Sequence, residues 1–102
     1  VGTWSFAAPL WEWGGRASWY FVTVPASVSD EIANTAPAAA TGRGFGSVRV
    51  EVSVGTSRWR TSVFPDSAAG CFVLPIKKSV RTAEGLQDGS PVAVELALAE
   101  QI

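Results

Sequence analysis

Apolar and polar positions alternate along much of the chain, and a period of two means strands. Val48, Val50, Val52 and Val54 share one face, with Arg49, Glu51 and Ser53 on the other. After a short turn at Gly55, Thr56 and Ser57, the residues Trp59, Thr61 and Val63 alternate with Arg60, Ser62 and Phe64. Residues 47–64 therefore predict a β-hairpin with one buried face. Val92, Val94, Leu96 and Leu98 alternate with Ala93, Glu95 and Ala97 and predict a C-terminal strand. In the N-terminal third Trp4 and Phe6 alternate, and beyond Pro9 so do Trp11 and Trp13, before a turn at Gly14 and Gly15. Residues 19–24 are apolar or aromatic on both faces, as are residues 71–74, the pattern of strands covered on both sides.

Two segments read as short helices. One follows Pro25 over residues 26–33, with Ser27 or Ser29 as its cap; the other follows Pro75 over residues 77–84, with Gly85 where a left-handed C-terminal cap belongs. Residues 34–46 form a long loop rich in Ala, Thr and Gly. An internal echo links the halves: Phe21-Val22-Thr23-Val24-Pro25 leads into one helix, and Phe72-Val73-Leu74-Pro75 into the other. The expected fold is all-β, a small closed or split β-barrel of six or seven strands with two short capping helices and two pseudo-symmetric halves. Residues 1–102 are expected to form a single domain.

Composition then narrows the chemistry. There is no histidine, no methionine and one cysteine. Imidazole acid–base catalysis, a His/Cys metal cluster and an internal disulfide are thereby excluded, and no metal or cofactor is expected. Cys71, after Gly70 in an apolar run, reads as an inert buried thiol. A lone cysteine agrees with a cytoplasmic setting. The longest uncharged stretch, Ala17 to Ser29, contains Pro25 and is too short for a membrane span. No secretory signal is visible, and a chain starting at Val1 is expected to be trimmed or part of a longer protein. Five Trp, five Phe and one Tyr enlarge the expected core, and the cluster Trp4, Phe6, Trp11, Trp13, Trp19, Tyr20 and Phe21 is expected to fill it, because these residues alternate as core strands do. A sugar- or base-stacking platform is the other use of such a cluster.

Charge is uneven beneath a net −1: residues 43–81 carry +5, residues 82–102 carry −4 and residues 1–42 carry −2. Arg43 sits in the Gly-rich loop, Arg58 and Arg60 share one strand face, and Lys77, Lys78 and Arg81 gather at the start of the second helix. These six are the candidate anion contacts, because guanidinium pairs and cations at a helix N-terminus invite a carboxylate or phosphate. The competing expectation is cross-strand pairing of arginine with Glu51, and pairing of the helix cations with Glu84 or Glu95. The loop Gly42-Arg43-Gly44-Phe45-Gly46 is not a P-loop, lacking Gly-Lys-Ser/Thr. Asp30 and Glu31 are adjacent, so on a helix they diverge and do not converge on one bond.

The residues Trp11-Glu12-Trp13, Trp19 to Pro25, Gly46 to Val50, Trp59 to Pro65, Leu74-Pro75-Ile76-Lys77, Val80-Arg81 and Gly85 to Val94 resemble a bacterial family catalogued as domain of unknown function nineteen-oh-five. The resemblance implies a small barrel near the double-split β-barrel fold, with helices capping its ends. It attaches no activity and no catalytic motif; some relatives are fused to domains named for bacteriocin protection. Leu74-Pro75, Val80-Arg81, Gly85-Leu86, Asp88-Gly89 and Val92 to Val94 are also similar to the swapped-hairpin half of AbrB-type DNA-binding domains. The chain departs from these by two extra residues between Pro75 and Val80, and it carries both halves itself. The expected role is a non-enzymatic binding or interaction module for a small anionic ligand or a protein partner, monomeric or weakly dimeric, with no membrane partner. Near-neutral charge argues against the AbrB-like nucleic-acid alternative. The remaining alternative, an enzyme, would have to use Arg, Lys or Ser at the barrel mouth.

Overall fold

In a computed structural model, which describes residues 3–14, 19–35, 47–66 and 68–99, six antiparallel strands close into a barrel. The elements run β1 (Thr3–Glu12), β2 (Tyr20–Thr23), α1 (Ala26–Thr35), β3 (Val48–Val54), β4 (Ser57–Asp66), β5 (Cys71–Pro75), α2 (Lys78–Glu84) and β6 (Pro91–Leu98). Around the barrel the order is β1-β2-β5-β4-β3-β6. The first part of β1 pairs with β6 and its end with β2; the first part of β4 pairs with β3 and its end with β5. The two ten-residue strands thus bridge two smaller sheets, and no strand edge is left open.

The hairpin lies where the alternation placed it, with Val48 opposite Val63 and Val52 opposite Trp59. Its inward valines, with Leu10, Val22, Leu74, Val92, Val94 and Leu96, form a mostly aliphatic core. Leu10 faces Val22 and Val22 faces Leu74 across three neighbouring strands, so one apolar row belts the barrel. Ile32 of α1 and Val80 of α2 join the same core and hold each short helix on the barrel.

Both halves follow one plan, β-β-α-β, and exchanging them leaves the strand order unchanged. Two hydrogen bonds show the equivalence: Val24 N–H donates to the Phe72 carbonyl at 2.9 Å, and Ile76 N–H donates to the Tyr20 carbonyl at 2.9 Å. Val24 therefore corresponds to Ile76, Tyr20 to Phe72, and Ala26 at the start of α1 to Lys78 at the start of α2. The echo seen in sequence is a structural repeat, but matching Pro25 to Pro75 misaligns it by two residues, since Pro25 follows Val24 and Pro75 precedes Ile76.

Ser29 does not cap α1. Buried within it, its hydroxyl donates to the Val24 carbonyl at 3.0 Å and accepts from Phe72 N–H at 3.0 Å, joining α1 to β5. The equivalent Arg81 of α2 donates through Nε to the Ile76 carbonyl at 3.2 Å, the same bond made by a different side chain. Ser29→Ala leaves a buried N–H without its partner, a loss of about 1–3 kcal/mol expected as a lower urea midpoint at unchanged slope. An unchanged midpoint would show that the bridge contributes nothing. Lys77 precedes α2 without a side-chain cap, and Gly85 ends it in the left-handed conformation.

Candidate functional site

The large aromatics do not fill the core as expected. Trp4 and Phe72 do, the Trp4 indole Nε1–H donating to Glu31 Oε1 on α1 at 2.7 Å, and Phe6, Tyr20 and Trp59 pack against the core half-buried. Trp13, Trp19 and Phe64, by contrast, are 47%, 56% and 45% exposed. The cause lies in the register of β1, which runs from Thr3 to Glu12 straight through Pro9. Trp4, Phe6 and Leu10 lie on its inward side, so Trp11 and its successor Trp13 lie on the outward one. Likewise β2 buries Val22 and leaves its other face outward, so residues 19–24 are not covered on both sides.

These outward residues meet on one sheet. Trp11 pairs with Phe21, Phe21 with Pro75, and Thr23 with Val73, which in turn pairs with Phe64. Trp13 extends the ladder by donating its N–H to the Trp19 carbonyl at 2.8 Å. The rings touch in sequence: Trp11 to Phe21 at 5.2 Å, Phe21 to Trp19 at 6.3 Å, and Trp19 to Trp13 at 6.5 Å between centroids. Trp11 Nε1–H is taken by the Thr23 hydroxyl at 2.9 Å. Outward aromatics on or beside β1, β2 and β4, with Pro75 and Val73 of β5 between them, make this outer sheet unusually apolar for one that faces water.

The described candidate anion contacts divide between the outer face of β4 and the start of α2. Arg43 lies outside the described residues, as does the rest of the Gly-rich loop. Arg60 is paired with Glu51, Nη2 to Oε2 at 2.8 Å and Nε to Oε2 at 3.0 Å, the cross-strand alternative expected for this face. Arg58, Arg60, Glu51, Glu95 and Trp59 border an open groove of about 480 Å³, so its two guanidiniums are matched by two carboxylates. Lys77 Nζ lies 6.0 Å from the Trp59 ring centre, Arg81 stacks over Tyr20 at 4.1 Å, and Lys78 is exposed. Glu84 does not pair with these cations as considered from sequence; it accepts from Ser57 Oγ at 2.7 Å and Thr56 Oγ1 at 3.3 Å in the hairpin turn.

Cys71 is half-buried rather than enclosed, beside a recess of about 220 Å³ that Ser29, Asp66 and Phe72 also border. Among the described residues, no three Cys, Asp or Glu side chains gather to hold a metal ion. No helix there is long and apolar enough to cross a membrane.

Topology and surface together define a closed six-stranded β-barrel of two equivalent halves, its core aliphatic and one outer sheet aromatic. The chain belongs to the family described as a domain of unknown function (DUF1905), which it matches over residues 6–96. No curated protein matches it.

Proposed function

We propose that this domain is a non-enzymatic interaction module that docks a protein partner on its aromatic outer sheet. The observation that supports the reading is the exposure of Trp13, Trp19 and Phe64 on the outer side of one sheet of a barrel whose core is already complete without them. Aromatic side chains are the residue types that anchor protein interfaces, because they bury much area at little entropic cost. The small-anion reading has less support, since Arg60 is neutralised by Glu51 and the groove beside Arg58 also presents Glu95.

The test is a photo-cross-linking amino acid placed in turn at Trp19, Phe64 and Glu95 in cells that make the native protein. Positions 19 and 64 are expected to give one common adduct, lost when Phe21→Glu is added, while position 95 on the other sheet gives none. Equal labelling from position 95, or no adduct from 19 and 64, overturns the reading.

A further inference from the structure

We infer that the aromatic face takes a short, uncharged, proline-rich segment of a partner chain, in the polyproline II conformation, rather than a second folded copy of this domain. The inference rests on the docking reading above and adds the chemistry of what docks.

Size comes first. The face crosses four strands and three rows of outward residues, so at the usual strand spacing and rise its footprint is roughly 15 Å by 14 Å. That is about a quarter of the ~800 Å² per partner that stable globular association needs. A segment of a few residues fits it; a second copy would have to find most of its contact elsewhere.

Charge and hydrogen bonding narrow the segment further. Trp11, Trp13, Trp19, Phe21 and Pro75 carry no formal charge, and the charge bordering them on the outward side of β4 is that of Asp66, beyond Phe64, so a charged segment would lose hydration over most of this face without finding a counter-ion. The barrel is closed, so a peptide cannot add as a seventh strand and satisfy its N–H groups on an open edge. The Thr23 hydroxyl already accepts from Trp11. The groups left over are donors: the indole N–H groups of Trp13 and Trp19 have no acceptor among the described residues. A face whose centre is rings and unused donors suits a chain of carbonyls and apolar rings with few N–H groups. Proline-rich segments have that composition, and their pre-set conformation lowers the entropic cost of docking.

The five indole N–H resonances of the ¹⁵N-labelled protein can report the site directly. The chain is titrated with an acetylated, amidated octaproline peptide and with a Gly-Ser peptide of equal length, and its sedimentation is measured without peptide. Octaproline is expected to shift the Trp13 and Trp19 signals saturably, leaving Trp4 and Trp59 in place, while the Gly-Ser peptide shifts none. Trp19→Ala is expected to weaken the binding about tenfold or more, as an anchor residue does, with the Trp4 and Trp59 indole signals, remote from its ring, unmoved, so the loss is not unfolding. No saturable shift at millimolar octaproline, an equal response to Gly-Ser, or shifts centred on Trp4 and Trp59 overturns the inference. A concentration-dependent dimer abolished by Trp19→Ala also overturns it while leaving the docking face intact; the cross-linking result decides that broader reading separately.

Discussion

Leu74→Ala is expected to cost about 3–5 kcal/mol of folding stability, whereas Trp19→Ala, which removes a much larger side chain, is expected to cost less than about 1 kcal/mol. The contrast follows from which side of the barrel each occupies. Leu74 is fully buried on β5, faces Val22 in the ladder and sits between Phe72 and Ile76, themselves buried. Truncation there leaves a cavity in a rigid aliphatic row that closed strands cannot collapse to fill. Trp19 is 56% exposed, with its ring against those of Trp13 and Phe21, so its loss removes contacts on the surface and opens no void in the core. Urea unfolding of both variants and the parent chain measures the difference. Comparable losses for the two would mean that the aromatic sheet contributes to the core, and the docking face would lose its basis.

The same contrast shows what the sequence made legible. The hairpin from Val48 to Val63 and the strand from Val92 could be read directly, because each has charged or small residues opposite every valine or leucine. One face was plainly wet and the other plainly dry. The aromatic third lacked that contrast, since Trp4 and Phe6 alternate as evenly as Trp11 and Trp13 do. The missing clue was parity. If β1 is one strand, even-numbered Trp4 and Phe6 and odd-numbered Trp11 and Trp13 must face opposite ways. Pro9 hid this by inviting a break; it is accommodated because it faces Pro91 in the ladder, one step from Leu10, whose N–H donates to Ser90.

The surroundings of the charged residues were hidden for a different reason. Sequence placed Arg58 and Arg60 on one face correctly, but which carboxylates would border them depended on β6 lying beside β3, a long-range pairing that sets Glu95 opposite Ser53. Segments of +5 and −4 are thus neighbours on the same outer sheet at this point, and the apparent basic patch is diluted where it folds. Arg81 was equally opaque. Its bond to the Ile76 carbonyl is the counterpart of Ser29 bonding Val24, a repeat that appears only once the two halves are aligned by their backbone hydrogen bonds rather than by their prolines.

Gly55→Ala is expected to destabilise the domain by about 2–4 kcal/mol, from two causes that can be separated. Gly55 turns the β3–β4 hairpin at φ +59°, a left-handed conformation that costs an L-residue about 1–2 kcal/mol. In addition, a Cβ at this position would coincide with Glu84 Oε1, which reaches over from the end of α2. The carboxylate can swing aside, but it then gives up Ser57 and Thr56, the two hydroxyls through which α2 holds the hairpin turn. Gly70, at φ +70° in open space, provides the comparison: alanine there should cost only the conformational part. In a Glu84→Ala background the carboxylate is already gone, so Gly55→Ala should fall to the Gly70→Ala value, leaving a coupling of about 1–2 kcal/mol between positions 55 and 84. If Gly55→Ala costs the same with or without Glu84, the glycine serves the turn alone and α2 is not tied to the hairpin through it. A measured coupling would instead identify the missing side chain at position 55 as what lets α2 fasten onto the β3–β4 turn, where one half of the barrel passes into the other.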